Sequence, residues 1–372
     1  MRSLAAIVSL TLAIDCLTAC DRTPELKRAS DATAQPAPEL GSPPPRPVEP
    51  PSAPAGSATR AAASAADYRL PSRARLVAIG DIHGDLAALR ATLRLAGAID
   101  GEDGWIGKDL TVVQTGDQLD RGDQDREVLD LLEKLEGDAK KAGCELHVLN
   151  GNHELMNAAF DFRYVTAKSF RSFAELAERA PQEAAGLPGH ERGRAAAFAP
   201  GASYALKLAQ HLTVAVVGET LFAHGGVLPA HVDYGLSRIN REAQAYLAGK
   251  SRKLPAVLSG DDSLIWTRVY GDPEPDAATC QALGRVLEQV GAKRMVVGHT
   301  VQKDGISSAC QQRLFRIDVG LSAFYGDHPA QVLELTAAGP RVLTAGGFNE
   351  RPRGGAPAPG RNVGAPHDSA LH

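Results

Sequence analysis

Five short apolar runs in this chain each end on a cluster of carboxylate, imidazole or carboxamide side chains, and no other feature constrains the fold as much. The clusters are Asp81-Ile82-His83-Gly84-Asp85, Gly116-Asp117-Gln118-Leu119-Asp120-Arg121-Gly122, Gly151-Asn152-His153-Glu154, His224-Gly225-Gly226 and Gly298-His299-Thr300. The run before Asp117, Leu110-Thr111-Val112-Val113-Gln114, reads as a buried strand stopped by glycine. A carboxylate at the C-terminal end of a strand sits where α/β sheets place their ligands. One Asp there can bridge two metal ions, and Arg121, four residues on, can meet an anionic substrate. Five such loops describe a dinuclear site assembled across one sheet.

The rest of the central chain alternates strand and helix. The sequence predicts strands at 75–80, 110–114, 146–150, 213–217, 220–223, 294–297, 314–318 and 332–335. Helical periodicity runs through Leu86, Leu89 and Leu93, through Val128, Leu131, Leu132 and Leu135, and through Leu283, Val286, Leu287 and Val290. Strands that are apolar throughout need helices over their outer faces. Residues 155–205 hold helical stretches broken by Pro and Gly, with no strand, and read as an insertion lying over the site.

The ends of the chain have a different composition. Residues 1–20 carry one cation, Arg2, and an apolar stretch from Leu4 to Ile14 that is too short to span a bilayer and has the build of a secretory leader. Leu17-Thr18-Ala19-Cys20 resembles the bacterial lipoprotein box, which would make Cys20 the lipidated N-terminus of a periplasmic, membrane-anchored protein. An ordinary signal peptide with a coincidental Cys is the alternative. Residues 21–70 are rich in Pro, Ala, Ser and charge, too poor in apolar side chains to offset their ordering entropy, and read as a disordered tether. Residues 348–372 repeat that composition as a tail, leaving 71–347 as one domain of ordinary globular composition. A net charge of −4 without a basic block argues against nucleic acid as the main partner.

Carboxylates, imidazoles and one carboxamide form a mixed oxygen–nitrogen donor set. It suits Mn first, with Fe or Zn as alternatives, and lacks the thiolates of structural zinc sites. Two divalent ions roughly 3.5–4 Å apart clamp a phosphate and polarise the water between them into a hydroxide that attacks phosphorus in line. Taken together, the five clusters resemble the full motif set of the calcineurin-like metallophosphoesterases, in their phosphoprotein phosphatase branch. Within that branch, Gln114 to Asp123, Asp161-Phe162-Arg163-Tyr164-Val165 and Val297-Gly298-His299-Thr300-Val301-Gln302 are similar to the Shewanella-like protein phosphatases. The resemblance runs from about Arg75 to Leu335.

Carried over residue by residue, the resemblance implies an αββα sandwich with Asp81, His83 and Asp117 at the first metal and Asp117, Asn152, His224 and His299 at the second. It implies His153 as general acid, oriented by Asp120, and Arg121 as a clamp on the phosphoryl oxygens. Trp266-Thr267-Arg268 is similar to an aromatic-x-Arg segment that supplies another phosphate-binding Arg in phage-type relatives. Asp120 beside His153 makes physical sense, because a neighbouring carboxylate keeps an imidazole charged. The implied reaction is phosphomonoester hydrolysis on phosphoprotein, with phosphoserine/threonine and phosphotyrosine both open. The alternatives are a hydrolase of dinucleotide polyphosphates or other small phosphoesters, and a catalytically inactive metal-binding lipoprotein. Intact Asp120, His153 and Arg121 argue against the last.

Other polar residues have plainer readings. Glu154 is expected to cap a helix or fix a ligand rather than bind metal. Arg163 and Tyr164 either line the entrance or pack the insertion. His147, His190, His211, His231 and His328 match no role in the site. Gly84, Gly225 and Gly226 permit tight turns rather than cradle phosphate. In an oxidising compartment Cys280 and Cys310 could pair, bracing the loop that carries His299 and leaving Cys144 free.

The anchor is testable directly. Cys20→Ala should release the protein from the membrane fraction or leave it unprocessed, since acyl chains supply the attachment. A variant that still fractionates with membranes and is cleaved after Ala19 would overturn the lipoprotein reading.

Overall fold

The computed structural model describes residues 68–345, with the backbone alone of 347–349 and 353–354. The leader, Cys20, the linker as far as residue 67 and the rest of the tail lie outside the described residues. In chain order the first elements are β1 (Arg69–Leu70), β2 (Arg75–Ile79), α1 (Leu86–Leu95), β3 (Leu110–Gln114), α2 (Asp125–Lys141), β4 (Glu145–Val148) and α3 (Asn152–Ala158). The insertion follows as α4 (Ala167–Arg171), α5 (Arg192–Phe198) and α6 (Ser203–Leu208), without a strand, as expected. Next come β5 (Val214–Val217), β6 (Thr220–Ala223), α7 (Pro229–Tyr234), α8 (Leu236–Leu247), α9 (Ala277–Val290) and β7 (Arg294–Val297). The last are β8 (Ser307–Ala309), β9 (Leu314–Arg316), β10 (Gln331–Thr336), β11 (Gly339–Thr344), β12 (Gly347–Asn349) and β13 (Arg353–Gly354).

These strands form two sheets, as in the αββα sandwich that the resemblance implies, so the ligand loops come from two sheets and not from the single sheet that the five motif loops alone suggested. One has the order β12-β11-β10-β2-β3-β4, the other β1-β5-β6-β7-β9-β8-β13. Within the first, β2, β3 and β4 run parallel; within the second, so do β6, β7 and β9. Their registers align the C-terminal ends, with Ile79 opposite Gln114, Gln114 opposite Val148, and Val297 opposite both Ala223 and Arg316. The loops that leave these strands therefore start level with one another. Asp81, Asp117 and Asn152 come from one sheet, His224 and His299 from the other, and the cluster sits where the two C-terminal edges meet.

Side-chain alternation produces the layers. Ala215, Val217, Phe222 and Val296 point into a core shared with the other sheet and with α1 and α2, whereas Val214, Val216, Leu221, Ala223, Met295 and Val297 face a second core. Helices α8 and α9 close that second core with Ile239, Ala243, Leu247, Leu283, Val286 and Val290. The result is helix, sheet, sheet, helix. Cutting a buried Leu such as Leu89 or Leu283 to Ala in such a core costs about 2–5 kcal/mol.

Two boundaries differ from those read on composition. Arg69–Leu70, placed in the tether, pairs in parallel with β5, and the Tyr68 carbonyl accepts from the Val216 amide at 2.7 Å. At the other end, 347–349 and 353–354 pair with β11 and β8, running past residue 347 into the segment assigned to the tail. Backbone pairing needs little side-chain burial, so composition does not reveal it. Among the described residues no helix is long and apolar enough to cross a membrane.

Cys280 in α9 is bridged to Cys310 in the turn before β9, and Cys144 is free and buried. The bridge does not brace the His299 loop. Leu314 pairs with Met295 at the start of β7, so Cys310 lies at the opposite end of that strand from His299. It ties α9 to the sheet edge instead. Replacing both cysteines by serine should lower stability by about 2–4 kcal/mol in chemical denaturation and leave metal content at the wild-type level. Free thiols at both positions in unreduced, oxidised protein would show that the bridge does not form.

Candidate metal centre

The ligand loops turn abruptly after their strands. His83, Asp117, Asp120, Arg121 and His299 all have positive φ, between 48° and 70°, a backbone region that costs non-glycine residues energy and concentrates at functional sites. Two glycines are required by close approach. A Cβ on Gly151 would lie 2.2 Å from Asp117 Oδ1, and one on Gly298 would lie 2.3 Å from Asp81 Oδ1. In both places a carboxylate oxygen occupies the space a side chain would need.

Three histidines are held in the same way. His83 Nδ1 lies 3.0 Å from the Leu119 carbonyl, His224 Nδ1 3.1 Å from the Thr115 carbonyl and His299 Nε2 3.0 Å from the Trp266 carbonyl. A carbonyl only accepts, so each of those ring nitrogens carries the proton and the other offers its lone pair to the cluster. His224 Nε2 meets Asn152 Oδ1 at 2.9 Å and Asp117 Oδ2 at 3.2 Å, and His83 Nε2 is 3.7 Å from the same Asp117 oxygen. Asp117, His224 and His299 present donor atoms within 4.8 Å of one another. Burial, then the charge of His153, pushes His83 down to about 3; burial, then His224 and Arg268, holds His299 well below its ordinary value. Both stay neutral and able to ligate.

The carboxylates show the complementary strain. Burial, then Asp318 and Asp117, raises Asp81 well above the usual range, although its oxygens accept from the His299 amide at 3.1 and 3.3 Å. Burial opposes ionisation of Asp117, but His224, His153 and His83 around it bring it well below its usual value. Asp318, just past β9, is buried and pushed up to about 6, mainly by burial. Its Oδ1 accepts from the Gly320 amide at 2.9 Å while Oδ2 has no partner. Crowded buried carboxylates, an unpaired carboxylate oxygen and three imidazole lone pairs turned inward fit divalent cations. Asp81 and Asp318 repel each other less when such charge is present.

His153 also belongs to this crowd, since it joins His83 and Asp117 within 4.8 Å. Its anchor differs, however. His153 Nδ1 bonds Asp120 Oδ2 at 2.6 Å, a carboxylate instead of a carbonyl. Burial disfavours its charge, yet Asp117 and Asp120 outweigh burial and raise the imidazole above its ordinary value. A charged imidazole does not ligate; it donates.

Arg121 stands over the cluster. Nη1 reaches His83 Nε2 at 2.7 Å, and the guanidinium lies 5.2–5.8 Å from the rings of Tyr164, Phe324 and Tyr325. Tyr164 also stacks at 5.1 Å on His153, and its carbonyl accepts from the Arg121 amide at 2.8 Å. So Tyr164 lines the site, while Arg163 is exposed and paired with its neighbour Asp161. Arg268 is exposed and anchored on the His299 carbonyl at 3.0 Å and Thr300 Oγ1 at 3.2 Å. A cleft of about 700 Å³ lined by Asn152, Leu155, Met156, Tyr164, Trp266 and Arg268 opens beside the cluster.

Glu154 accepts from the amides of Gly151, Asp117 and Gln118 at 2.7–2.9 Å, tying the second loop to the third, as expected of a residue that fixes ligands. Asp85, the last residue of the first cluster, caps α1 through the Ala88 amide. His231 caps α7 at Leu228, His147 meets Pro71, His211 meets Glu136, His328 meets Tyr325 and His190 packs on Phe170. Gly225 and Gly226 spend their amides on the Leu264 carbonyl. Asp318 and the aromatic ring set at Phe324 and Tyr325 were not singled out from the sequence. The apolar run into Ile317-Asp318 was a strand prediction whose last residue had the signature of a strand-end carboxylate.

Residues 74–303 match the family model described as calcineurin-like phosphoesterase. Shewanella-like protein phosphatase 2 of Arabidopsis thaliana is 39% identical over 305 residues, covering 73% of this chain and 78% of its own length. Shewanella-like protein phosphatase 1 of Plasmodium berghei is 28% identical over 271 residues, covering 70% and 71%. Among solved structures, a cold-active protein-tyrosine phosphatase of a psychrophilic Shewanella superposes with a TM-score of 0.61 at 24% identity, over 74% of this chain and 80% of that one.

Asp117 is the carboxylate that faces His83, His153 and His224 together. Asp117→Asn should abolish turnover and lower bound metal, measured by elemental analysis, in a protein whose circular dichroism is unchanged. Wild-type metal content with wild-type turnover would rule out the bridging role expected of Asp117.

Proposed function

The chain belongs to the calcineurin-like phosphoesterase family and hydrolyses phosphoesters; we propose that its substrates are phosphorylated proteins and that His153 is the proton donor. The observation that carries this reading is the difference in anchoring between His153 and the other three histidines of the cluster. Asp81, His83 and Asp117 would hold one divalent ion, and Asp117, Asn152, His224 and His299 the other, with Mn the best match to this donor set. When bound, those ions supply Lewis acidity and an activated water for in-line attack at phosphorus.

The chain's own side chains do the rest. Arg121 and Arg268 bind the phosphoryl oxygens from two sides as charged donors. His153, kept charged and oriented by Asp120, gives its proton to the departing oxygen. The cleft beside Asn152 and Arg268 receives the polypeptide on either side of the phosphorylated residue. We also propose export and lipid anchoring at Cys20; the Cys280–Cys310 bridge supports an oxidising compartment.

A proton donor matters most when the leaving group is poor. His153→Ala should cost on the order of 10²–10⁴ in kcat on alkyl phosphates such as phosphoserine peptides and markedly less on p-nitrophenyl phosphate. Asp120→Asn should show the same pattern more weakly, and metal content should stay near wild type in both. Equal losses on both substrates with loss of metal would make His153 a ligand. A panel of phosphoserine and phosphotyrosine peptides with diadenosine tetraphosphate tests the substrate class; preferential turnover of the dinucleotide would move the assignment to small phosphoesters.

A further inference from the structure

Behind Asp120, on the side away from His153, lies a fully buried arginine that nothing in the motif set accounts for. Arg194 comes from α5 in the insertion and is wholly inaccessible to solvent. Its Nη2 meets Asp120 Oδ1 at 2.9 Å and Asp125 Oδ2 at 2.7 Å, Nη1 meets Ser169 Oγ at 2.7 Å, and Nε donates to Asn157 Oδ1 at 2.6 Å. The guanidinium lies 5.0 Å from the ring of Phe198 and 5.6 Å from that of Phe173. All three of its nitrogens are engaged.

The same partners are bonded to one another. Asn157 Nδ2 donates to Asp120 Oδ1 at 3.0 Å and to the His153 carbonyl at 2.9 Å, Ser169 donates to Asp125 at 2.6 Å, and Asp125 Oδ1 accepts from the Asp120 amide at 2.9 Å. Asp120 Oδ1 is thus saturated by Arg194 and Asn157, which leaves Oδ2 aimed at His153. A free carboxylate can rotate about χ2 and offer either oxygen; this one is fixed at both.

We infer that Arg194 is a positioning residue for proton donation: the insertion drives a guanidinium fork into the back of Asp120 and so sets the orientation of His153 toward the leaving group. The inference rests on the reading of His153 as the donor. A planar fork is what the task needs, because one rigid group meets two carboxylates, a carboxamide and a hydroxyl, which an ammonium cannot do. The insertion is then part of the reaction machinery and more than a cover.

The test compares kcat on a phosphoserine peptide with kcat on p-nitrophenyl phosphate in the same Mn-loaded preparation, because partial unfolding lowers both alike and leaves their ratio unchanged. Arg194→Met should lower the ratio by about tenfold or more, and Arg194→Lys, which keeps the charge but not the fork, should lower it in the same direction. In a His153→Ala background neither substitution should change the ratio further. If Arg194→Met does not fold, Arg194→Lys decides. A ratio within twofold of wild type in the folded variants, or a further fall without His153, would overturn the positioning role. If His153→Ala itself leaves the ratio unchanged, the assignment of the donor fails instead, and the two failures are distinguished.

Discussion

Buried negative charge is the constraint on which this structure turns. Asp81, Asp117, Asp120, Asp125, Glu154 and Asp318 all lie out of water within a few loops of one another. Each ionised carboxylate removed from water costs several kcal/mol unless it is paired and hydrogen-bonded. The backbone supplies part of the compensation. Amides of His299, His153, Gly151, Asp117, Gln118, Asp120 and Gly320 point at these oxygens. Aiming amides inward forces the loops into left-handed turns and pushes Gly151 and Gly298 against carboxylate oxygens. Side-chain cations supply another part, with Arg121 on one side, Arg194 on the other and the His153 imidazole against Asp117 and Asp120. The middle, around Asp81, Asp117 and Asp318, is left for divalent ions.

That division of charge also sorts the histidines. His83, His224 and His299 each lean on a backbone carbonyl, which fixes one tautomer and supplies no net charge, and burial keeps His83 and His299 neutral. His153 leans on Asp120, and a carboxylate in a low-dielectric site favours the imidazolium. Four imidazoles within one small volume thus take two jobs because of what stands behind each ring. Asp120 can do this only while its own charge is stable, and burial works against it; the His153 hydrogen bond and Arg194 hold the carboxyl below its usual value.

Much of the site was legible in the sequence for a local reason. A donor residue one or two positions past an apolar run is a statement about consecutive residues, and strand ends at Ile79, Gln114, Val148, Ala223 and Val297 fall within two residues of the expected boundaries. Two sheets were implied by the family resemblance alone; which strand joins which sheet was not legible in the residues, because alternation says which way a side chain points and not which neighbour it meets. The short or irregular strands escaped for a different reason. Ser307–Ala309 has little apolar content, and Gly339-Pro340 at the head of β11 reads as a turn, although Pro340 is tolerated opposite Leu335 at the end of the ladder. Asp318 hid at the end of a predicted strand whose following residues match no ligand pattern.

Arg194 is the clearest case of information that no local pattern holds. It stands 74 residues from Asp120, in Arg192-Gly193-Arg194-Ala195-Ala196-Ala197-Phe198, a segment that reads as an ordinary helix with a solvated basic face. Only the packing of Phe173 and Phe198 around it turns that face inward. A buried arginine without partners would be among the costlier defects a fold can carry, so its four polar partners and two rings must form together or not at all. This makes the insertion cooperative with the catalytic loop. The helices α4 and α5 cannot leave without stranding Asp120 and Asp125, and the loop cannot reorganise without stranding Arg194. Donor atoms for the cations are thus specified strand by strand, while the orientation of His153, the proposed proton donor, depends on a tertiary contact spanning the insertion.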